Sequence, residues 1–374
     1  MGFHDMRTFG TVSYNMHCSF TNYGSALQSW ALGRAIARLG HRPVMLDYCP
    51  DVLRGRTPLD PFAHMWDQDE ESRRMCELTL PAIRVNCAKF EAFYRGRCNV
   101  SAGAYTSENF CECVGREGLD GFVCGSDTIF CIDEFKGFDD GYYANYPCMR
   151  GRSVAYAASF GDVHFAPSDY PVLDARLANF KAIGLRESQM LPYVKAHTAV
   201  PCARVVDPTL LLSREDYDAI AAPAAPHAPY LLLYTRRYNP AMEAFAVREA
   251  RERGLAVVEI SLRAVNAARG HEMRYDAGVE EFLALVRDAA LVVTNSFHGL
   301  IFAVQYSRPC FVFSREQGDT KIGEVLELFG MEECLLRSDD RPPAGPPDYV
   351  RVHARIAAAR KESYTFLRAE LELP

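Results

Sequence analysis

An imidazole, a guanidinium and a carboxylate in this chain each follow a short apolar run. In a parallel α/β sheet that places them at the carboxyl ends of strands, where ligands bind. The imidazole is His298. Leu291 to Thr294 have strand preference, Asn295 and Ser296 form a polar turn, and the apolar spacing from Gly299 to Tyr306 suits a buried helix. A histidine there can deliver a proton near neutral pH, and Asn295 and Ser296 can hold a ligand in register. The free N–H groups at the helix start, from Phe297 to Gly299, favour an anion. A capped helix whose histidine bonds a neighbouring loop accounts for the same residues equally well.

The guanidinium is Arg186 in Gly184-Leu-Arg-Glu187. It comes directly off a short strand and can grip a carboxylate or phosphate with two parallel hydrogen bonds. The bland alternative is an Arg–Glu surface pair. The carboxylate is Asp127 in Gly125-Ser-Asp127, placed either to take a proton from a hydroxyl or simply to cap the next turn, with Ser126 beside it. Thr21-Asn-Tyr-Gly-Ser-Ala-Leu-Gln28 follows a strand and opens a helix capped at Ser25. Gly24 would let backbone approach a ligand, and Asn22 and the helix-start N–H groups would contact it, although ordinary capping explains the run as well. Arg236, with Arg237, ends a further strand, and Lys321 precedes a later helix. Both are candidate anion contacts and, taken singly, equally ordinary solvated residues. Asp207, before Pro208, reads mainly as a turn former, with a lesser alternative in which it faces the cleft.

These residues need a scaffold, and the composition allows one. The chain has 374 residues, 49% hydrophobic and 24% charged, enough for two packed cores of ordinary size. Its net charge of −7, without a block of like charge, argues against nucleic-acid binding through a general basic field. No apolar run approaches the roughly 20 residues needed to span a bilayer, so no integral membrane segment is expected. Met1 to Arg7 lack a basic start followed by an apolar run, so the expected location is cytoplasmic. Thirteen cysteines form an odd count without metal-ligand spacing; Cys111 and Cys113 are the closest pair. A reduced chain without a metal is the expectation.

Strand and helix signals alternate almost throughout, predicting parallel sheets covered by helices. Strands are expected at Phe9–Tyr14, Pro43–Tyr48, Gly121–Cys124, Ser153–Ala158, Ala182–Arg186 and Ala203–Asp207. Residues 60–115 read as a mostly helical excursion. The Pro- and Ala-rich run Ala221–Pro229 suits a stiff connection and divides the chain into residues 1–220 and 230–374. The second part repeats the alternation, with strands at Tyr230–Tyr234, Ala256–Ser261, Leu291–Thr294 and Pro309–Phe313. After the proline-rich stretch Arg341–Pro347, a terminal helix from Tyr349 to Leu371 is free to pack back on the first part. The fold class is α/β, with two domains facing a cleft.

Taken together, the motifs are far more specific than they are singly. Asn22–Gln28, Gly125-Ser-Asp127, Ala157–Gly161, Leu185-Arg-Glu187, Val206–Leu211 and Thr294–Gly299 occur in the order found in the polysaccharide pyruvyl transferase family, which the sequence resembles over about residues 7–335. The resemblance implies two Rossmann-like domains like those of two-domain (GT-B) glycosyltransferases. It also implies transfer of the enolpyruvyl unit of phosphoenolpyruvate to sugar hydroxyls, giving a pyruvate ketal and phosphate. The family's arginine and histidine tied to phosphoenolpyruvate fall on Arg186 and His298. Two departures stand out. Thr128 and Phe130 replace a usual glutamine and tryptophan, and Lys321 is the nearest cation where an arginine is usual.

On this reading His298 is the acid, and Arg186 and the helix starts at Ser25 and Phe297 clamp the anion. Asp127 is the base for the attacking hydroxyl. Asn22, Gly24, Ser126, Arg236, Asn295, Ser296, Gly299 and Lys321 complete the substrate site. No cofactor is needed beyond phosphoenolpyruvate as donor. The acceptor is a sugar or lipid-linked oligosaccharide of a cell-surface glycan precursor, which is compatible with a peripheral position at the inner face of the membrane and with a homo-oligomer. Two competing functions use the same residues: a nucleotide-sugar glycosyltransferase, with Arg236 and His298 facing a diphosphate, and a non-catalytic glycan- or partner-binding protein.

Overall fold

Period-two and continuous apolar runs resolve into two parallel sheets in the computed structural model, which describes residues 6–64, 69–224, 227–314, 319–337, 342–343 and 345–372. The first half contains β1 (Thr8–Val12), α1 (Tyr23–Arg38), β2 (Arg42–Tyr48), α2 (Glu70–Arg97), β3 (Val100–Tyr105), α3 (Glu112–Glu117), β4 (Gly121–Cys124), α4 (Ile132–Phe135), β5 (Ser153–Ala158), α5 (Tyr170–Leu177), β6 (Phe180–Leu185), α6 (Leu191–His197), β7 (Cys202–Arg204) and α7 (Arg214–Asp218). The second contains β8 (Tyr230–Tyr234), α8 (Pro240–Arg253), β9 (Ala256–Ile260), β10 (Glu272–Met273), α9 (Val279–Asp288), β11 (Leu291–Thr294), α10 (Phe297–Gln305), β12 (Cys310–Phe313), α11 (Asp319–Phe329), β13 (Leu335–Leu336) and α12 (Tyr349–Glu372).

The first sheet runs β3-β2-β1-β4-β5-β6-β7 and the second β10-β9-β8-β11-β12-β13. Every pairing is parallel, and in both sheets the order reverses beside the first strand, between β1 and β4 and between β8 and β11. Ligand crevices open at such reversals, outside the carboxyl ends of the strands. Register fixes what stands there. Val12 pairs with Cys124, so Ser13 and Gly125 leave the sheet together. Thr294 pairs with Tyr234, so Asn295 leaves beside Thr235.

The helices that matter begin where local chemistry requires. The Asn22 side chain caps α1 by accepting from the Gly24 N–H at 3.0 Å, and Ser296 caps α10 by accepting from Gly299 at 3.2 Å. Asn239 caps α8, Pro240 occupies its first turn, and Gly254 closes it in a left-handed conformation at φ 64°. Ser25 was expected as the cap of α1, but it lies inside the first turn, with its hydroxyl turned to another element. Likewise Lys321 lies within α11 rather than before it.

The segment 60–115 is mostly helical, as expected, but it is not an insertion outside the sheet. It is a β2–α2–β3 crossover whose last strand edges the first sheet, with α3 following. Its 28-residue helix α2 braces the two halves. Asn86 Nδ2 donates to the Ala277 carbonyl at 2.6 Å, Thr79 Oγ1 to the Leu262 carbonyl at 2.7 Å, and Lys89 pairs with Glu281 at 2.6 Å. Tyr23 of α1 stacks on Phe282 of α9 with ring centroids 4.4 Å apart. One continuous apolar core therefore joins both halves.

Helix α12 packs back across the first half, as expected. Ser363 Oγ accepts from Val206 N–H at 3.0 Å, and Arg360 donates to the carbonyls of Leu210 and Leu212 at 2.6 and 2.7 Å. Parts of the two proline-rich stretches, residues 225–226, 341 and 344, lie outside the described residues. The expectation of a fully reduced chain fails at one pair: Cys111 and Cys148 form a disulfide, their Cα atoms 5.6 Å apart across 37 residues. That pairing is made by the fold, which brings the start of α3 against the loop before β5, and no local spacing announces it. No helix among the described residues is long and apolar enough to cross a membrane.

Candidate functional site

Both sheet reversals open on one hollow of about 560 Å³. The first half contributes Tyr14 from the loop after β1, Asn22 from the start of α1, Asp127 from the end of β4 and Arg186 from the end of β6. The second half contributes Arg236 after β8, Ser296, Phe297 and His298 at the start of α10, and Lys321 from α11. Residues far apart in sequence thus share one concave surface because each ends a strand or begins a helix at a matching edge.

Asp207 joins the two halves. Its Oδ2 lies 3.1 Å from Arg186 Nη1 and 3.4 Å from His298 Nε2, while Thr209 donates to Oδ1 through N–H at 3.0 Å and hydroxyl at 2.7 Å. The His298 contact lacks hydrogen-bond geometry, and Nε2 is buried without a hydrogen-bond partner among the described residues. Burial alone would raise the Asp207 pKa, but the neighbouring His298 and Arg186 outweigh it and hold the carboxyl well below its ordinary range. Arg186 is also wholly enclosed. Burial acts against its charge, and Glu187, Asp207 and Asp127 more than offset that, raising its pKa. Its Nε donates to Glu187 at 2.6 Å, and its guanidinium lies 4.7 Å over the Phe297 ring of the other half.

Gly24 explains how the imidazole fits. A Cβ at that position would stand 1.9 Å from His298 Nδ1, so helix α1 and the histidine ring can touch only at a glycine. The adjoining Ser25 hydroxyl donates to Asp127 Oδ2 at 2.6 Å, and the Thr128 N–H donates to Oδ1 at 2.9 Å. Asp127 thereby keeps one fixed orientation in the hollow.

The expected site residues separate into two layers. Asn22, Asp127, Arg186, Arg236, Ser296, Phe297, His298 and Lys321 line the hollow. Gly24, Ser25, Ser126, Asn295 and Gly299 stand behind it. Ser126 is fully buried, accepting nothing from the hollow: its N–H donates to Gln28 Oε1 at 2.9 Å and its hydroxyl to the Ala157 carbonyl at 2.7 Å. Asn295 is also fully buried and ties down the loop that carries Arg236, accepting from its N–H at 2.9 Å and donating to the Arg237 carbonyl at 2.6 Å. At Gly299 a Cβ would meet Thr294 Oγ1 at 2.6 Å, so close packing of α10 on β11 requires that glycine. Arg236 forms no ion pair with a carboxylate among the described residues; its Nη1 donates to the Thr21 carbonyl at 3.3 Å.

Two participants were underrated or missed in the sequence reading. Asp207 looked mainly like a turn former, which it is, through Thr209; its second oxygen does the rest. Glu134, on the short helix α4, lines the mouth of the hollow and accepts from Thr128 Oγ1 at 2.5 Å. Crowding by the surrounding protein, then the nearby Asp127, raise its pKa against the Thr128 hydrogen bond, although the side chain stays exposed. The only signal was Thr128 itself, standing in place of a usual glutamine. Phe130, the other departure, is fully buried and stacked on Tyr143 at 4.6 Å, so it belongs to the core.

Such a site can bind a small multiply charged anion and exchange protons with it. Cations Arg56, Lys136, Arg186, Arg236 and Lys321 face the carboxyls of Asp127, Asp133, Glu134 and Asp162 around one space.

Among solved structures, the chain is similar to MnaA of S. aureus in a co-structure with UDP, at a TM-score of 0.50 and 13% identity, covering 96% of this chain and 90% of that one. A putative UDP-N-acetylglucosamine 2-epimerase of Listeria monocytogenes aligns at a TM-score of 0.48 and 12% identity, over 97% and 90%. The glycosyltransferase SnogD of Streptomyces nogalater aligns at 0.41 and 12%, over 98% of each chain. The first of these likenesses supports the two-domain Rossmann-like, GT-B-like fold and nothing finer. No curated protein matches the sequence significantly. The family match is decisive: residues 22–317, most of the chain, fit the polysaccharide pyruvyl transferase family, and the protein belongs to that family of transferases.

Proposed function

We propose that this transferase moves the pyruvyl unit of phosphoenolpyruvate onto two hydroxyls of a sugar in a cell-surface glycan precursor, free or lipid-linked, on the cytoplasmic side of the membrane. One observation carries the reading. Arg186 from the first half and His298 from the second meet the same oxygen of Asp207 at the edge of a single hollow. Phosphoenolpyruvate has a carboxylate and a phosphate on three carbons, so it needs cations and N–H donors from several directions. Arg236, Lys321 and the amino-terminal ends of α1 and α10 supply them.

The chemistry then follows. His298, as imidazolium, gives a proton to the methylene carbon. The double-bond electrons form the new C–H bond, leaving an oxocarbenium-like centre. Asp207, 3.4 Å from Nε2, and Gly24, against Nδ1, hold the ring in position for that transfer. A sugar hydroxyl adds to that centre while Asp127 takes its proton. Phosphate departs with the C–O bonding pair and carries that proton away. The second hydroxyl closes the ketal, and its proton returns to His298. Preorganised charge and general acid–base help of this type contribute about 10²–10⁴ each in rate.

The test compares ligands and a variant. Phosphoenolpyruvate should raise the melting temperature, because a ligand that binds only the folded state stabilises it. His298→Ala should fold, and release phosphate from phosphoenolpyruvate and a glycoside about 10²–10⁴ more slowly. Stabilisation by a nucleotide sugar but not by phosphoenolpyruvate would instead favour glycosyl transfer, and full turnover by His298→Ala would remove its role.

A further inference from the structure

We infer that the acceptor is held in a second, larger groove of the first half, and that the part of the acceptor seated there is an uncharged saccharide. This inference rests on the proposed transfer reaction and extends it to the acceptor. The groove, about 780 Å³, lies between the loops after β1 and β2, helix α2 and the edge strand β3. That volume is of the order that holds a ligand larger than one sugar ring. Asn22 lines both this groove and the reactive hollow, so the two spaces meet at the amino-terminal end of α1. A saccharide in the groove would present its terminal hydroxyls past Asn22 toward Asp127.

The lining sets the ligand class. The charged side chains in the groove are paired within it: His17 Nε2 lies 2.6 Å from Asp47 Oδ1, and Arg95 lies 2.7 Å from Glu91. The reactive hollow, by contrast, holds Arg236 without a carboxylate partner among the described residues. An anionic sugar held there would have to compete with Asp47 and Glu91 for His17 and Arg95. One wall is apolar, formed by Phe90, Tyr94 and the thiols of Cys18, Cys87 and Cys98. Burial raises the Cys18 and Cys98 pKa to about 12, so those thiols stay neutral. Opposite stand the half-exposed His17–Asp47 pair and Asn99. An apolar wall facing hydrogen-bonding groups suits a sugar ring, whose C–H face is apolar and whose edges are hydroxyls.

Ala102 lines the groove from the exposed face of β3 and makes no side-chain hydrogen bond, so Ala102→Trp narrows the groove without removing an interaction. The probes are phosphoenolpyruvate alone, read as melting temperature, and a panel of methyl disaccharides ending in galactose, glucose, mannose or N-acetylglucosamine, each with either a neutral hexose or a glucuronate as the inner ring that would occupy the groove, read as phosphate release. The expected result is release with a neutral disaccharide. In Ala102→Trp the acceptor KM should rise about tenfold or more while the KM for phosphoenolpyruvate stays within about twofold. An acceptor KM unchanged in Ala102→Trp overturns the inference, as does preference for an inner glucuronate, or a protein that binds phosphoenolpyruvate yet uses no neutral disaccharide. If phosphoenolpyruvate fails to stabilise the wild-type protein, the transfer reading itself is what fails.

Discussion

Replacing Gly24 with alanine tests the geometry of the site more sharply than removing any reactive group. Gly24 lies in the first turn of α1, so alanine there should favour the helix by about 0.8–1 kcal/mol. Its Cβ would nevertheless sit 1.9 Å from His298 Nδ1 and 2.4 Å from Cγ. The helix cannot retreat, because neighbouring Tyr23 is stacked on Phe282 and hydrogen-bonded to the Ala277 carbonyl at 2.8 Å. The imidazole must therefore move by about 1.5 Å to reach ordinary contact distance, breaking its approach to Asp207. Overpacking of this kind costs about 1–3 kcal/mol, so net stability should fall by about 0–2 kcal/mol. A displacement of about 1 Å at a reacting group costs on the order of 10² in rate, and kcat/KM should fall by at least that much. The assay is phosphate release beside thermal melting, with Gly24→Ala also placed in a His298→Ala background. There the clash is gone, so the helix preference should emerge as a gain in stability relative to His298→Ala alone. A Gly24→Ala protein with wild-type turnover, or one whose stability change is the same in both backgrounds, would refute the argument.

The remaining expectations concern buried charge. Asp207→Asn removes the anion shared by Arg186 and His298 and should cost about 3–5 kcal/mol at pH 7. Because the folded-state pKa of Asp207 is lowered, its contribution is complete above the ordinary carboxylate range and lost as pH falls through its low folded value; the gap in melting temperature between wild type and Asp207→Asn should therefore narrow in acid. Asp139 behaves in the opposite sense. Burial raises its pKa to about 6 against hydrogen bonds from Tyr142, Tyr48 and Gly141, so stability linked to this group is present below about pH 4 and lost as pH rises through about 6. Asp139→Asn should equal or exceed wild type in melting temperature at pH 7, by an amount on the order of 1–3 kcal/mol at most, and lose that advantage near pH 4; a variant less stable at pH 7 than at pH 4, relative to wild type, would show that the accepted hydrogen bonds outweigh burial.

The strands near the site could be read from sequence because each is an uninterrupted apolar run bounded by a polar turn. Leu291–Thr294 and Tyr230–Tyr234 coincide with β11 and β8. The edge strands β3, β10 and β13 could not: β3 is mostly small residues, Ser101 to Ala104, without an apolar run, and the other two have two residues each, too short for periodicity to register. Segment 60–115 is mostly helical, as its pattern says, but the 28 residues of α2 dominate that pattern and mask the strand that follows. At the site, residues that end a strand or start a helix announced themselves. What did not was the division between groups facing the hollow and groups behind it. Ser126 and Asp127 are adjacent in one motif, yet the first is locked to Gln28 and Ala157 while the second lines the open space. Motif membership reports that a loop is constrained, and only packing tells which of its atoms a ligand can reach. Glu134 was invisible for the complementary reason: it lies on a four-residue helix, in no motif, and matters through Thr128.

Asp207 also explains why fold and chemistry are hard to separate here. A buried carboxylate needs compensation, and this one receives it from Thr209 in its own loop, Arg186 on the next strand and His298 across the interface. The interface is therefore not a neutral hinge between two ready-made halves. The cation that orients Asp207 in the first half and the imidazole that belongs to the second are brought to one oxygen by the same packing that joins the apolar core, with Arg186 over the Phe297 ring as the adjoining contact. Separating the halves would expose the hollow but would also take His298 away from Asp207. The packing that joins the halves and the arrangement that the proposed proton transfer requires are thus the same, and mutations in α2 or α9 that loosen the brace should lower turnover without touching a residue of the hollow.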